Sequence, residues 1–429
     1  MKIEAVACPF CGALCDDINI TVENNQIVSI EEACTLGVNK FMSTSGRETP
    51  KPFIRNGDIK YVKVDKAIEE AAKILSNSRK PLIYGFSSTN CEAHSKGIEL
   101  AERLGGIVDC TSSVCHGPTI IAVQEVGYPS VTLGEVKNRA DLVIYWGSNA
   151  MHAHPRHFSR YTHFSRGRFR ERGKIDRKLI VMDIRETETA KLADKFVKIP
   201  PNRDYEVLNA LRTILNKGDV EKEEVGGVSK EDLKGIVEMM KSCQFGVVFF
   251  GMGLTMSYGK HRNIIEAISL VRDLNRFTKF SIIPMRGHYN VTGFNEVCSW
   301  QTGYPYAVDF SKGYPWYNPG ETDSNSVLQN EEVDAALIIA SDPVAHFPRS
   351  SIRYLATIPV VVIDPFESLT SRIARVFIPS TVAGVETGGS AYRMDCVPLR
   401  LTKVLNPPQG VLTDEEILDR ILQKIDKFS

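Results

Sequence analysis

The chain has 429 residues, 43% of them hydrophobic and 24% charged, with 52 Lys and Arg set against 52 Asp and Glu. That length exceeds the roughly 250–300 residues that a single core serves, so two or more lobes are expected. The even charge argues against a nucleic-acid binder or a polybasic membrane module. The lack of an apolar run of about 18 residues argues against a membrane span, and with no apolar h-region after Met1 a cytoplasmic location is expected.

Four of the ten cysteines fall before residue 35, as Cys8, Cys11, Cys15 and Cys34. Between them, residues 17–22 and 26–30 alternate apolar and polar side chains around Glu23-Asn24-Asn25, the pattern of a hairpin that returns Cys34 to the first three. Three thiolates close together plus a distant fourth suit the corners of an iron-sulfur cube, while a zinc ribbon more often uses two separated CxxC pairs. Lys40, six residues beyond Cys34, reads either as a solvated surface lysine or as a cation wedged between that cluster and a second redox group.

From about residue 55 the pattern becomes repetitive α/β. An amphipathic helix is expected over Val64 to Leu75, a short buried strand over Lys80 to Gly85, and a second helix from about Cys91 to Leu104, with Cys91 as a packing thiol. Gly106 to Asp109 then runs into the turn Cys110-Thr-Ser-Ser-Val-Cys115-His116-Gly-Pro118. Its Cys115 thiolate can be a nucleophile or a soft-metal ligand, and His116 can relay a proton.

A second section begins with an apolar strand from Asp141 that ends in Gly147-Ser148-Asn149, followed by Lys178 to Arg185 with Asp183 near its end. A glycine turn followed by an acid on the next strand is the arrangement of a nucleotide crevice. Residues 152–177 are rich in His and Arg and read as a solvated or subunit-contacting basic face. Asp204 to Leu215 is a helix, and 216–228 a polar connection. A third unit runs from Gln244 to Gly251-Met252-Gly253, then a helix from about Asn263 to Arg276, then a glycine-rich loop over 284–293 with Arg286, His288 and Asn290. The fourth runs from Asp334 to Ser341-Asp342-Pro343, followed by a strand ending at Asp364 and another at Arg375 to Pro379. Asp183 and Asp364, each preceded by a strand with a polar turn, form an internal echo that predicts two similar nucleotide-binding lobes.

Taken in this order, the four-cysteine opening, Cys115-His116-Gly-Pro118, Gly251-Met-Gly253, Arg286-Gly with Asn290-Val-Thr-Gly293, Ser341-Asp-Pro343, and Ile378-Pro-Ser-Thr381 with Glu386 resemble the molybdopterin oxidoreductase family. Cys115-His116 resembles the metal-ligand turn of its formate dehydrogenases. The resemblance implies an α/β, formate dehydrogenase-like fold. Residues 1–54 would form a small N-terminal iron-sulfur domain. Residues 55–110 with 289–400 would form one Rossmann-like lobe, 111–288 the second, and 401–429 a C-terminal segment, with no C-terminal β-barrel domain.

The resemblance further implies a 4Fe-4S cluster on Cys8, Cys11, Cys15 and Cys34. It implies two molybdopterin guanine dinucleotides, and tungsten or molybdenum held by Cys115 and an inorganic sulfide. Catalytic roles would fall to Cys115, His116 and Arg286. Cofactor contacts would come from Lys40, Gly147, Ser148, Asn149, Asp183, Arg185, Gly251, Met252, Gly253, Asn290, Ser341, Asp342, Pro343 and Asp364. The implied reaction is reversible two-electron reduction of carbon dioxide to formate. The implied partners are a β-barrel subunit covering the pterins, an amidohydrolase-like formate-condensing subunit and ferredoxin-like electron carriers. A formate dehydrogenase subunit and a pterin-free electron-transfer subunit are the alternatives.

Overall fold

The computed structural model describes residues 1–426. Two mostly parallel sheets dominate it. The larger has nine strands, and its centre is five parallel strands in the order Ile107–Cys110, Pro81–Gly85, Ala335–Ile339, Val360–Asp364 and Val376–Pro379. Short antiparallel strands close both edges, Val308–Asp309 and Trp316–Tyr317 on one side, Phe53–Asn56 and Asp58–Tyr61 on the other. The smaller sheet has five parallel strands in the order Lys195–Lys198, Lys178–Asp183, Leu142–Trp146, Phe245–Phe250 and Lys279–Pro284. Every residue of Leu142–Trp146 and Ala335–Ile339 is buried, as continuous apolar runs in a sheet covered on both faces require.

The two centres share one spatial plan. Val376–Pro379, Val360–Asp364, Ala335–Ile339, Pro81–Gly85 and Ile107–Cys110 match the five strands of the small sheet in order, although the last two come first in the chain. The hydrogen bonds at the strand ends also match. Gly147 N donates to Met182 O at 2.8 Å and Ala340 N to Ile363 O at 2.9 Å; Gly251 N donates to Trp146 O at 3.0 Å and Phe86 N to Ile339 O at 2.9 Å. Thr189 Oγ1 donates to Asn149 Oδ1 at 2.8 Å, and Thr370 Oγ1 to Asp342 Oδ1 at 2.6 Å. The echo runs further than the strand ends, because Pro155-Arg156 with Arg160-Tyr161 is repeated as Pro348-Arg349 with Arg353-Tyr354. In both sheets the chain reverses its direction of strand addition at the central pair, where a crevice opens at the carboxyl ends.

At the amino terminus, Lys2–Val6, Ile18–Glu23 and Gln26–Glu31 form an antiparallel sheet. Asn24 and Asn25 turn the expected hairpin with φ of 50° and 61°, the left-handed pair that a tight two-residue turn needs. Helix Asp414–Ile425 packs on helices Val64–Ser76 and Cys91–Leu104.

Three expectations change. The glycine-rich loop is shorter, because helix Val291–Thr302 begins before Gly293. The polar connection 216–228 leads into a small hairpin, Glu224–Val225 with Val228–Ser229. Residues 152–177 are not simply a solvated face: His154, His157, His163 and Arg177 are buried. Arg177 gives its guanidinium to the carbonyls of Val136, Lys137, Ala140 and Ser165.

Candidate active site

Strand Ile107–Cys110 delivers the chain into a 3-10 turn, Thr111–Val114, and helix Gly117–Val126 carries it away, leaving Cys115 and His116 at the junction. Buried Asp109 fixes this turn. Its carboxylate accepts from Ser113 Oγ at 2.6 Å, from Ser324 N at 2.9 Å and from Ser324 Oγ at 2.5 Å, and burial raises it to about 6. Thr255 Oγ1 donates to Cys115 O at 3.0 Å, tying the turn to the small-sheet loop. Burial pushes the Cys115 thiol up to about 11, with the Arg286 guanidinium opposing. His116 lies within hydrogen-bond distance of Thr119 Oγ1 through Nδ1, at 3.0 Å, and its Nε2 is buried, with the Met285 backbone beside the ring. Burial, aided by the Arg286 charge, lowers this imidazole to about 3.

Arg286 comes from the loop after strand Lys279–Pro284. The backbone there is gripped from two sides. Gly12 N donates to Gly287 O at 2.8 Å, and His154 Nε2 donates to Arg286 O at 2.8 Å. A Cβ on Gly12 would lie 2.1 Å from Arg286 O, so the glycine after Cys11 is required by this close approach. The guanidinium itself is held by Asn295, whose Oδ1 accepts from Nη1. Neither Gly12 nor Asn295 stands out in the sequence, since each role depends on a distant segment.

The four amino-terminal cysteines do converge. The Cys8–Cys15 loop is closed by Cys8 N donating to Cys15 O at 2.8 Å and Leu14 N to Cys11 O at 3.1 Å. Cys34 caps helix Thr35–Thr44, its sulfur accepting from Gly37 N at 3.4 Å. A Cβ on Gly37 would lie 3.5 Å from Cys8 Sγ and 3.7 Å from Cys34 Sγ. Burial pushes Cys11 up to about 11 and Cys15 to about 12, with the neighbouring cysteines contributing and Arg156 drawing Cys15 down. Among the described residues no three His, Cys, Asp or Glu side chains close in on one metal ion. Arg156 and Arg160 bind Asp17 and Asp16 beside this motif.

A cavity of about 670 Å³ opens at the reversal point of the large sheet. Lys40, Ser341, Asp342 and Asp364 all line it, together with Phe10, His288 and Tyr289. Lys40 is exposed on the cavity wall, with Nζ 5.6 Å from the centre of the Phe10 ring. Burial raises Asp364 to about 7, and Pro343 is buried beneath Asp342. Tyr289 Oη and Thr381 Oγ1 are buried with no partner, which is uncommon for buried hydroxyls, while the buried Asp414 carboxyl faces the Ser380 hydroxyl.

The small-sheet crevice is built differently. Gly251 and Gly253 meet Gly147: a Cβ on Gly253 would lie 2.6 Å from Gly147 Cα, and one on Gly251 2.6 Å from Gly147 O. The close approach that these glycines permit is therefore between two loops of the protein. Ser148 is buried and Asn149 half-buried, whereas Met252 and Arg185 are exposed around the crevice and Asp183 is half-buried. Asn290 precedes helix Val291–Thr302. It is fully buried, donates to Thr89 O at 2.8 Å and accepts from Tyr392 N at 2.9 Å. Its amide is spent on the protein's own backbone.

The sequence model of the molybdopterin oxidoreductase family matches residues 50–424. The tungsten-containing formylmethanofuran dehydrogenase 2 of Methanocaldococcus jannaschii has a subunit that is 54% identical over 427 residues, 99% of this chain and 98% of that one. Among solved structures, the acetylene hydratase of Pelobacter acetylenicus overlays with a TM-score of 0.74 at 14% identity, over 99% of this chain and 69% of its own. The formyltransferase/hydrolase complex of Methylorubrum extorquens, in complex with methylofuran, gives a TM-score of 0.70 at 22% identity, over 88% of this chain and 99% of the matched one.

Proposed function

The chain belongs to the molybdopterin oxidoreductase family, and on that premise we propose that it is the catalytic, metal-carrying subunit of a formylmethanofuran dehydrogenase, reducing carbon dioxide to formate. The observation that carries this reading is the meeting of Cys115, His116 and Arg286 at one junction, between a four-cysteine motif and two matched crevices. In this reading the two sheet lobes are Rossmann-like nucleotide-binding lobes, with boundaries at 55–110 plus 289–400 and at 111–288.

The residues present fit the implied groups by the chemistry of their donors, although among the described residues no three His, Cys, Asp or Glu side chains close in on one metal ion. Tyr289, whose hydroxyl is buried without a partner, lines a cavity large enough for a dinucleotide end, with Asp342 and Asp364 on its wall. Gly147, Ser148, Asn149, Asp183, Arg185 and the Gly251–Gly253 turn would border the second guanine nucleotide. Cys115 offers the soft donor suited to tungsten or molybdenum beside an inorganic sulfide. Cys8, Cys11, Cys15 and Cys34 would hold a 4Fe-4S cluster, with Lys40 between cluster and pterin. Two pterin guanine dinucleotides and their metal, when bound, supply the two-electron chemistry.

The chain's own residues do the rest. Arg286 holds the carboxylate and balances the charge it acquires. His116, buried beside Cys115, would be the group through which the proton leaves when formate is oxidised and arrives in the reverse direction. The balance is one carbon dioxide, two electrons and one proton for each formate. A β-barrel subunit would cover the pterins, an amidohydrolase-like subunit would condense formate with methanofuran, and ferredoxin-like subunits would deliver electrons. The test is metal, iron, sulfide and guanine-nucleotide analysis of the anaerobically purified complex, paired with Cys115→Ser. The expected result is two guanine nucleotides per chain and at least a 100-fold loss of formate oxidation in the variant. A Cys115→Ser complex with wild-type activity and unchanged metal–sulfur distances would sink it.

A further inference from the structure

We propose that Asn295 is a positioning residue that locks Arg286 to the Cys115 turn as an unneutralised cation. This inference rests on the reading of Arg286 as the carboxylate-binding group.

Asn295 stands on helix Val291–Thr302 and is 7% exposed. Its Nδ2 donates to Pro305 O at 2.9 Å and contacts Ser112 Oγ at 3.1 Å. A backbone carbonyl can only accept, so the Pro305 contact fixes which way the amide points and turns Oδ1 toward Arg286. Oδ1 then accepts from Arg286 Nη1 and from Ser112 Oγ, the latter at 3.2 Å. Ser112 O in turn accepts from Cys115 N at 3.0 Å. One amide thus joins the arginine, the 3-10 turn and the backbone that presents the thiol.

The chemistry of the partner matters as much as its place. A buried arginine is most often paired with a carboxylate, as Arg47 is with Glu386, which would cancel its charge. Among the described residues the hydrogen bond to neutral Asn295 is the one that the Arg286 guanidinium makes. Nη1 is thereby anchored, while Nε and Nη2 keep their donors and the group keeps its full charge for an anionic carboxylate. The amide also faces a cavity of about 250 Å³ that Arg286 and Asn295 line with Thr119, Tyr128, Glu296 and Cys396. Among the described residues Glu296 shares this cavity without forming an ion pair or hydrogen bond with Arg286, so the anchored cation is within reach of a small anion.

The test uses the assembled, cofactor-loaded complex and measures formate binding to its oxidised form by calorimetry, beside kcat and KM. Asn295→Ala should weaken formate binding about tenfold and raise KM more than it lowers kcat, with metal and pterin contents unchanged. Asn295→Asp, which is isosteric and keeps an acceptor, should weaken binding further because the carboxylate neutralises Arg286. In the Arg286→Ala background, Asn295→Ala should have no additional effect, since Asn295 acts through that arginine. Additive losses in the double variant, or wild-type affinity in Asn295→Asp, overturn the proposal while leaving the catalytic reading intact. If Arg286→Ala alone binds formate as wild type does, the assignment of Arg286 falls and this inference with it.

Discussion

The two sheets are built on one plan and end in unlike crevices. In the small sheet, the reversal point is closed by Gly147 stacking on Gly251 and Gly253, with Met252 and Met256 exposed around it. In the large sheet, the matched point opens into the 670 Å³ cavity, lined in part by Tyr289 with its unpartnered hydroxyl. The strand-end hydrogen bonds are the same in both, so the ladder does not decide the shape of a crevice. What packs across the carboxyl ends decides it. The large crevice is walled by the amino-terminal segment, through Phe10, Lys40 and Thr44, and by the 287–289 loop that Gly12 clamps.

The strongest way to break this difference is to remove the fastening of that wall. Arg47 and Glu386 form an ion pair with side chains 3% and 2% exposed, and Arg47 also donates to Pro365 O at 2.6 Å and Ser380 O at 2.9 Å. Arg47→Ala leaves a buried carboxylate uncompensated and is expected to cost about 3–5 kcal/mol. Denaturant unfolding of the cofactor-free chain measures it. Replacing both partners with Met and Leu should cost much less, because no charge is then stranded.

Acid should separate the two lobes next. In the small-sheet lobe, burial lowers His154 and holds His157 well below its ordinary range. The unfolded chain therefore binds more protons there, so stability present above pH 6.5 is lost as pH falls. The large-sheet lobe has one such fully buried histidine, His94, at about 4. It also holds Asp109 at about 6 and Asp364 at about 7, raised by burial. Those carboxyls bind protons more tightly when folded, so they gain stability as pH falls through the same window. A histidine held neutral costs about 2 kcal/mol at pH 5, and the small lobe should open first. Trp146 is buried in its sheet, with Nε1 donating to Asp204 at 2.8 Å. With Trp300 and Trp316 replaced by Phe, its emission should shift to the red between pH 6.5 and 5, before the far-ultraviolet signal falls. The reverse order would reverse the comparison.

Features whose cause is local were legible in the sequence. The hairpin at Asn24-Asn25, the thiol-bearing turn at Cys115 and the acid-ended strands follow from alternation, turn chemistry and apolar runs. The internal echo was legible at its acids and polar turns, and the Pro-Arg and Arg-Tyr pairs that extend it lie in plain view. Gly12, Asn295 and the Arg47–Glu386 pair were not legible, because each acts on a segment far away in the chain. Asn290 shows the opposite case. An exposed-looking polar residue in a glycine-rich loop proves to be a buried backbone clamp, since the helix that begins at Val291 draws it inside.

The finest difference between the crevices is one methyl group. Gly147 and Ala340 occupy matched positions with φ of 57° and 47°, both in the left-handed region that a Cβ disfavours by roughly 1–2 kcal/mol. Gly147 has no room for that Cβ, which would lie 2.8 Å from Gly253 Cα, so Gly147→Ala combines backbone strain with overpacking and should cost about 2 kcal/mol. Ala340 carries its Cβ on the cavity wall; the close approach beside it is made by Gly85, where a Cβ would lie 2.0 Å from Ile339 O and 3.0 Å from Ser341 Cβ, so the Ala340 Cβ itself is not what that contact excludes. Ala340→Gly relieves the strained φ and loses chain entropy to a similar degree, so its effect should stay within about 1 kcal/mol of zero. Unfolding midpoints of the two single variants measure the contrast. Equal and large losses would mean that the large crevice, too, is closed by backbone packing, and the distinction between a shut and an open reversal point would not survive.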